Sequence, residues 1–307
     1  MLKNLSIYTI NPACNLNLLT DEAAEGRGFE PCALTSEKSI GWVPPRGLEH
    51  GALIEKVNGH WLMAMMKEVR KVPGDALNRA LDEKCQQIEL STGRKPGRKE
   101  KRELKEELLL ELLPQVLPVR SKTLVWIDPS ARLLGIDATG GAKVDDVLSL
   151  LTKTFDGLVV ENVRTQTSAG AAMATWLVEA MSSDNSDKGG PGFPASFTPG
   201  KSLELAACDE SQARVRFTKH HILSAEVVAH IAQGKVPTQM AMEWDDRVSF
   251  VLTDKLGIRK IDIQDVALES GPNDKSCDGF DADVAIFTGE LSKLIADLVA
   301  ALGGATP

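Results

Sequence analysis

The side chains best suited to chemistry in this chain are seven basic residues within the short stretch 94–105 (RKPGRKEKRELK), which holds only two acidic residues. They are Arg94, Lys95, Arg98, Lys99, Lys101, Arg102 and Lys105. Several long cations on one surface can neutralise the phosphates of a nucleic acid, and each such contact releases counterions. A lysine-rich run is also commonly a solvated helix surface, so the run alone leaves both interpretations open.

The distribution of charge favours a local attraction to a polyanion. The formal net charge of the 307-residue chain is −8, whereas the stretch 94–105 carries +5 and the remaining residues carry −13. Binding responds to the local potential and not to the average over the surface. Lys219, with His220 beside it at the end of a predicted strand, is a second candidate for phosphate contact. An exposed loop rim is the alternative for that pair.

Carboxylates near the C-terminus offer a different chemistry. In a strand, Asp281 and Asp283 would point to the same face, and Mg²⁺ binds oxygen ligands that converge on one point. Glu290 has another explanation, because it follows Thr288, a predicted N-cap, at the positive end of a predicted helix. A metal-dependent nuclease therefore stays an alternative, while we expect a structural turn here and no metal site.

Other catalytic patterns are missing from the sequence. It contains no GxxxxGK[ST] or GxGxxG loop, no GxSxG elbow, no HExxH and no CxxC pair. We therefore predict no catalytic residue, no cofactor and no enzyme. No segment resembles a signal peptide or a membrane span, which leads us to expect a cytoplasmic protein without a membrane partner. A protein-binding scaffold, whose basic helix meets an acidic partner, stays a further alternative.

The elements that must position these residues follow from breakers and periodicity. Asn58-Gly59 predicts a β-hairpin between two apolar runs. Pro73 predicts a helix start, breakers at 92–97 end that helix, and leucines four apart predict a second helix up to Pro114. The basic stretch therefore covers the turn and the first part of the second helix of a helical hairpin.

Strand predictions on both sides of this hairpin indicate an α+β fold with mixed or antiparallel sheets. We predict an N-terminal α+β domain at 1–164 containing the inserted helical hairpin 73–117. A second α+β domain is predicted at 165–307. The segment 41–47 (GWVPPRG) is predicted to be a rigid loop with Trp42 against the core, because two prolines and two glycines disfavour regular structure.

Several unusual motifs, in order along the whole chain, resemble those of the RdgC family of bacterial recombination-associated proteins. They are Gly41-Trp42-Val43-Pro44-Pro45, Leu112-Leu113-Pro114, Val125-Trp126-Ile127-Asp128, Gly234-Lys235-Val236, Met242-Glu243-Trp244 with Arg247, Phe280-Asp281-Ala282-Asp283, and Thr288-Gly289-Glu290-Leu291.

The resemblance implies a ring-shaped homodimer that binds DNA without sequence preference and restrains recombination promoted by RecA. Duplex DNA would pass through a positively lined hole, and binding of single strands is left open. The tips of the helical arms would close the ring, with Leu117 here where an aromatic residue is expected. The resemblance also places DNA contacts in the C-terminal half, where Lys219 and His220 are the candidates, and implies association with the nucleoid.

Overall fold

A computed structural model describes residues 2–182, 192–264 and 279–306. Twelve strands of this described part form one sheet: β1 (Asn4–Ile10), β2 (Lys38–Val43), β3 (Glu55–Val57), β4 (His60–Val69), β5 (Val119–Asp128), β6 (Leu133–Ile136), β7 (Val160–Asn162), β8 (Phe197–Ala207), β9 (Arg214–Thr218), β10 (Lys235–Trp244), β11 (Val248–Thr253) and β12 (Ile258–Ile263). The helices are α1 (Asp21–Glu25), α2 (Gly74–Thr92), α3 (Arg98–Leu112), α4 (Ala142–Thr154), α5 (Ala169–Ser182), α6 (Ala225–Ala232) and α7 (Gly279–Ala301). No helix in this part of the chain is long and apolar enough to cross a membrane.

The sheet runs in the order β2-β4-β5-β6-β1-β12-β11-β10-β8-β9, with β3 beside β4 and β7 beside β1. All of its strand pairs are antiparallel. Strand β1 joins the two halves, because Asn4 and Leu5 pair with β12 whereas Ser6 to Thr9 pair with β6. The predicted α+β fold with antiparallel strands and an inserted helical hairpin is confirmed.

Two large hydrophobic clusters lie on this sheet. One is built from α5, α7 and the strands β8 to β12, and the other packs α4 against β4, β5 and β6. Leu62 and Trp126, from the N-terminal strands, belong to the first cluster, so α7 packs across both halves of the sheet. The division into domains at residue 164 stays a prediction.

The turn at Asn58-Gly59 forms as predicted. Asn58 and Gly59 have φ of 48° and 81°, and Val57 pairs with His60 across them. Two consecutive left-handed residues are what the tight hairpin turn requires, and asparagine and glycine adopt them at least cost.

The segment 41–47 differs from the predicted loop. Gly41, Trp42 and Val43 belong to β2 and pair with β4, and the two prolines then end the strand. Gly41 is required by close contact with the backbone of Phe29, which a Cβ atom would overlap. The burial of Trp42 is confirmed, since only 1% of the residue is exposed.

Helix α7 begins earlier than the sequence suggested, and this corrects two predictions. Asp281 and Asp283 lie in the helix and not in a strand or turn. Thr288 lies in the helix interior, where its hydroxyl donates to the carbonyl of Val284 at 2.7 Å, so it is not an N-cap. Glu290 is buried and accepts two hydrogen bonds of 2.8 Å from Arg247, and it is therefore not a first-turn acid.

A buried polar junction connects α7 to the N-terminal strands. Asp128 accepts hydrogen bonds from Ser292 of α7 at 2.7 Å and from the Ser130 hydroxyl at 2.6 Å. Burial acts to raise the pKa of Asp128, but these hydrogen bonds outweigh it, and the pKa lies below its usual range. His60 Nδ1 is 3.7 Å from Asp128 Oδ2, and burial lowers the pKa of this histidine despite the carboxylate.

We expect this junction to make the protein less stable in acid. The unfolded chain binds a proton at His60 near the ordinary pKa of about 6.5, whereas the folded state resists it, so stability falls as the pH drops below that value. Asp128 acts in the same direction at lower pH, through its ordinary pKa of about 3.9. Urea unfolding midpoints at pH 7.5 and 5.5 should differ less in a His60→Gln variant than in the wild type. The exposed His50 provides the matched control, and an equal effect of His50→Gln would contradict this assignment.

Candidate nucleic-acid interface

The turn of the helical hairpin is held by a compact set of local contacts. Gly93 ends α2 with φ of 72°, and its N–H donates to the carbonyl of Glu89 at 2.9 Å. The carboxylate of Glu100 accepts from the N–H of Gly97 at 3.3 Å and from Arg94 at 2.9 Å. The hydrogen bonds from Arg94 and then from Gly97 lower the pKa of Glu100. The start of α3 is therefore fixed in position relative to the end of α2.

Four of the predicted basic residues share one face of α3. Arg98, Lys101, Arg102 and Lys105 follow the i, i+3, i+4, i+7 spacing, which places side chains above one another on a helix. All four are exposed. We call these four side chains the basic stripe. Its seven-residue span corresponds to about 10 Å along the helix axis.

The partners of the basic stripe are weak enough to be exchanged for phosphate. Arg102 lies 3.9 Å from Glu106, and Lys105 lies 3.4 Å from the side-chain oxygen of Asn78. Neither Arg98 nor Lys101 has an ion pair or a side-chain hydrogen bond with another described residue. Exposed pairs of this kind contribute about 0–1 kcal/mol, so a phosphate can replace them at little cost.

The other predicted cations are placed differently. Arg94 is committed to Glu100 and supports the turn. Lys95 lies 3.8 Å from Glu89, and Lys99 lies 3.9 Å from Glu103, on a part of α3 outside the basic stripe. The structure therefore brings together four of the seven residues and assigns Arg94 a structural contact.

The hairpin as a whole is electrically balanced but polarised. Residues 73–117 contain nine basic and nine acidic residues, with most of the basic ones near the turn. The two helices are held together at the other end by a small core: Val72, Leu77, Leu108 and Leu113. The basic residues are therefore concentrated from the turn to the middle of α3, away from the small core that holds the two helices together.

Lys219 and His220 lie at the end of β9, the outermost strand of the sheet. Both are exposed, and Lys219 has a left-handed backbone with φ of 53°. The His220 ring packs against Phe217 with the centroids 5.7 Å apart. No hydrogen bond or ion pair between described residues joins this pair to the basic stripe.

Leu117 lies at the opposite end of the hairpin from the turn. It follows α3 and precedes β5, and it is 85% exposed. The fifteen residues of α3 separate it from the turn by about 22 Å. The expectation that Leu117 lies at the hairpin tip beside the basic residues is wrong, because the second helix returns to the sheet before Leu117. Its role in a dimer contact stays a prediction.

The carboxylates considered for a metal site do not converge. Asp281 forms an ion pair with Arg46, while Glu290 is bound to Arg247 and lies nine residues further along α7, on its opposite face. Among the described residues, no group of three histidine, cysteine, aspartate or glutamate side chains could hold a metal ion. These residues explain the packing of α7 and offer no assembled nuclease centre.

A second group of cations was missed from the sequence. Glu204, only 4% exposed, binds Arg214 at 3.3 Å and Arg216 at 3.0 Å on the neighbouring strand β9. The alternation of arginines in Arg214-Val215-Arg216 was the available signal, since a strand places both on one face. Two arginines in a five-residue strand change the local charge much less than the seven cations of 94–105, so the sequence alone does not mark them out.

Comparison with known proteins agrees with the motif pattern. A family model described as "Putative exonuclease, RdgC" matches residues 1–305. The chain belongs to the RdgC family. Relatives named recombination-associated protein RdgC include those of Dechloromonas aromatica and Janthinobacterium, which are 36% and 38% identical over 98% of this chain and 97% of each relative. The RdgC protein of Bordetella pertussis is 37% identical over 98% of both chains.

These relatives carry names that refer to recombination and not to a catalysed reaction. The word exonuclease occurs in the description of the family model and not in the names of these relatives. The predicted membership of the RdgC family is thus confirmed, and the resemblance extends over nearly the full length of the chain.

Proposed function

We propose that this RdgC-family chain binds DNA without sequence preference and acts in recombination without catalysing a reaction. The observation that carries the proposal is the basic stripe, four exposed cations on one face of the first half of α3, next to the turn of the helical hairpin. Flexible lysines and arginines held this way suit phosphate oxygens, whose spacing does not depend on base sequence. The relatives' names support a role in recombination.

The length of the basic stripe fits a backbone contact. A span of about 10 Å corresponds to about three steps along a DNA strand, at 3.4 Å per step. Binding that consists of such contacts would be strong at low salt and would weaken steeply as salt rises. Sequence-independent occupation of DNA would restrain RecA-promoted strand exchange by competing for the same DNA.

The family resemblance further supports a ring-shaped homodimer. An isologous contact uses the same patch on both subunits, so two such contacts close a ring. The basic stripe of one subunit would then form only part of the positively charged lining of the hole, and the second subunit would complete it. Leu117, together with the exposed Val119, offers apolar area for one of these contacts.

A titration with a random-sequence duplex of about 30 base pairs, at about 50 and 200 mM salt, tests DNA binding. We expect binding at the lower salt, strong loss at the higher salt, and a dimeric mass for the free protein. Absence of binding at both concentrations would favour the protein-binding scaffold.

A nuclease is tested separately, by incubating plasmid DNA with the protein and Mg²⁺. We expect the plasmid to stay intact, and cleavage would favour the nuclease.

Replacing Leu117 with glutamate should weaken the proposed dimer contact without unfolding the subunit. The side chain is exposed in the single chain, so a charge costs little there, whereas burial of that charge between two subunits costs several kcal/mol. Sedimentation velocity should show a shift toward monomer in Leu117→Glu. The exposed Leu34 is the control, and Leu34→Glu should leave the mass unchanged. A Leu117→Glu variant with the wild-type mass would contradict the assignment of this contact.

A further inference from the structure

The C-terminal half of the sheet has a second surface that the basic stripe does not explain. On one side, Met240, Met242 and Trp244 of β10 are buried in the cluster that contains α5 and α7. Gln239 points to the opposite side, into a groove of about 230 Å³. Polar side chains from four strands line this groove: Ser202, Glu204, Arg216, Thr218, Gln239 and Lys260.

Lys260 reaches the groove because β12 contains a bulge. Ile258 and Ile261 are both buried although they are three residues apart, and the register with β11 shifts between Ser249 and Val251. In a regular strand Lys260 would lie on the same face as Ile258, toward the core. The bulge instead turns the lysine outward, with φ of 51°.

This conformation is unfavourable for lysine. A left-handed backbone is adopted readily by glycine and asparagine and at a cost by residues with longer side chains. The N–H of Lys260 donates to the side-chain oxygen of Asn4 at 3.4 Å, which holds the bulge, and the charged side chain is exposed. The groove that it lines contains a second cation, Arg216.

Arg216 is held in place by a buried carboxylate. Its Nε donates to Glu204 at 3.0 Å, and its Nη2 makes a further close contact with the same oxygen. The hydrogen bond from Arg216 lowers the pKa of Glu204 against the opposing effect of burial. The Arg216 side chain is nevertheless 69% exposed, and a guanidinium has five N–H donors. Donors therefore remain for a second anion, with their direction fixed by Glu204.

We infer that the groove, which crosses β8, β10 and β11 from Arg216 of β9 to Lys260 of β12, binds the phosphate backbone of DNA, with Arg216 and Lys260 contacting phosphates and Glu204 as a positioning residue. The inference rests on the proposed DNA binding and adds a second contact on the sheet. Ser202, Thr218 and Gln239 supply neutral polar groups around the same space. A preorganised arginine suits phosphate oxygens through its fixed fork of donors, and a lysine binds them as a point charge.

Substituting asparagine for Lys260 separates binding from folding. Asparagine relaxes the left-handed backbone, so the thermal midpoint of Lys260→Asn should equal or exceed that of the wild type. Affinity for the random-sequence duplex should fall about fivefold to tenfold at low salt, and the slope of log affinity against log salt should decrease by about one. The control is Lys255→Asn, which removes an exposed lysine from the turn before β12. It should leave the affinity and the salt slope unchanged.

Three proteins titrated together distinguish the possible failures: the wild type, Lys260→Asn and a variant lacking the basic stripe. Wild-type affinity and slope in Lys260→Asn, with weakened binding in the stripe variant, would overturn the second contact and leave the proposed function standing. Absence of wild-type binding would overturn both. If Lys260→Asn lowers the thermal midpoint, the affinity is measured with Lys260→Gly instead, because glycine also accepts the left-handed backbone. A DNA affinity of Lys260→Gly equal to that of the wild type would then overturn the inference.

Discussion

A variant with alanine at Arg98, Lys101, Arg102 and Lys105 should bind duplex DNA on the order of 10²-fold more weakly than the wild type at about 50 mM salt. The four cations are exposed, share one face of α3 and have weak partners or none in the described part of the chain. Each lost phosphate contact removes about 0.9 from the slope of log affinity against log salt, so the slope should decrease by about three to four. Fluorescence anisotropy at several salt concentrations measures both quantities.

The matched control removes the same charge from other helices. Arg79 and Lys84 of α2 and Lys143 and Lys153 of α4 are exposed cations outside the basic stripe. Replacing these four with alanine changes the net charge equally and should leave the salt slope close to that of the wild type. Equal losses in the two variants would show that total charge, and not the basic stripe, governs binding. An unchanged slope in the stripe variant would remove the basis of the proposed interface.

The largest effect on stability is expected at the ion pair between Arg247 and Glu290. The pair is bidentate at 2.8 Å, and the side chain of Glu290 is only 7% exposed. Arg247→Ala leaves that carboxylate buried with Lys293 at 3.5 Å as its remaining ion-pair partner among the described residues. Removal of one member of a buried pair costs about 3–5 kcal/mol, which urea unfolding would detect as a lower midpoint.

A double substitution tests whether the unpaired charge causes this loss. Arg247→Met with Glu290→Leu replaces both charges with apolar groups, which is often nearly neutral for a buried pair, and should recover most of the stability. The exposed pair of Lys99 and Glu103 is the control, and Lys99→Ala should change the unfolding free energy by less than about 1 kcal/mol. A double variant as unstable as Arg247→Ala would contradict this explanation.

Local signals in the sequence predicted much of the framework. Asn58-Gly59 predicted its hairpin because few residue pairs adopt two left-handed conformations at low cost. Breakers around 92–97 and at Pro114 predicted the helical hairpin, since they interrupt helical hydrogen bonding. The basic stretch was equally visible, because charge composition does not depend on folding.

Predictions that required distant contacts were less accurate. Thr288 and Glu290 have the residue types of a helix start, and only packing against Arg247 and the strands shows that they lie inside α7. Gly41 to Val43 contain strand residues beside strand breakers, and pairing with β4 decides the outcome. Local preference is a weak signal where tertiary pairing opposes it.

The sequence by itself determined that the positive charge is concentrated in 94–105, on a helical hairpin within an α+β chain of the RdgC family. The structure decided which of those cations share a surface, once the start of α3 was fixed. Helical periodicity and the contact of Arg94 with Glu100 select Arg98, Lys101, Arg102 and Lys105. The return of α3 to the sheet places Leu117 far from them, and a bulge directs Lys260 into the groove that Arg216 also lines. The positions of Leu117 and Lys260 depend on packing and pairing with residues that are distant in sequence, so no local pattern could have revealed them.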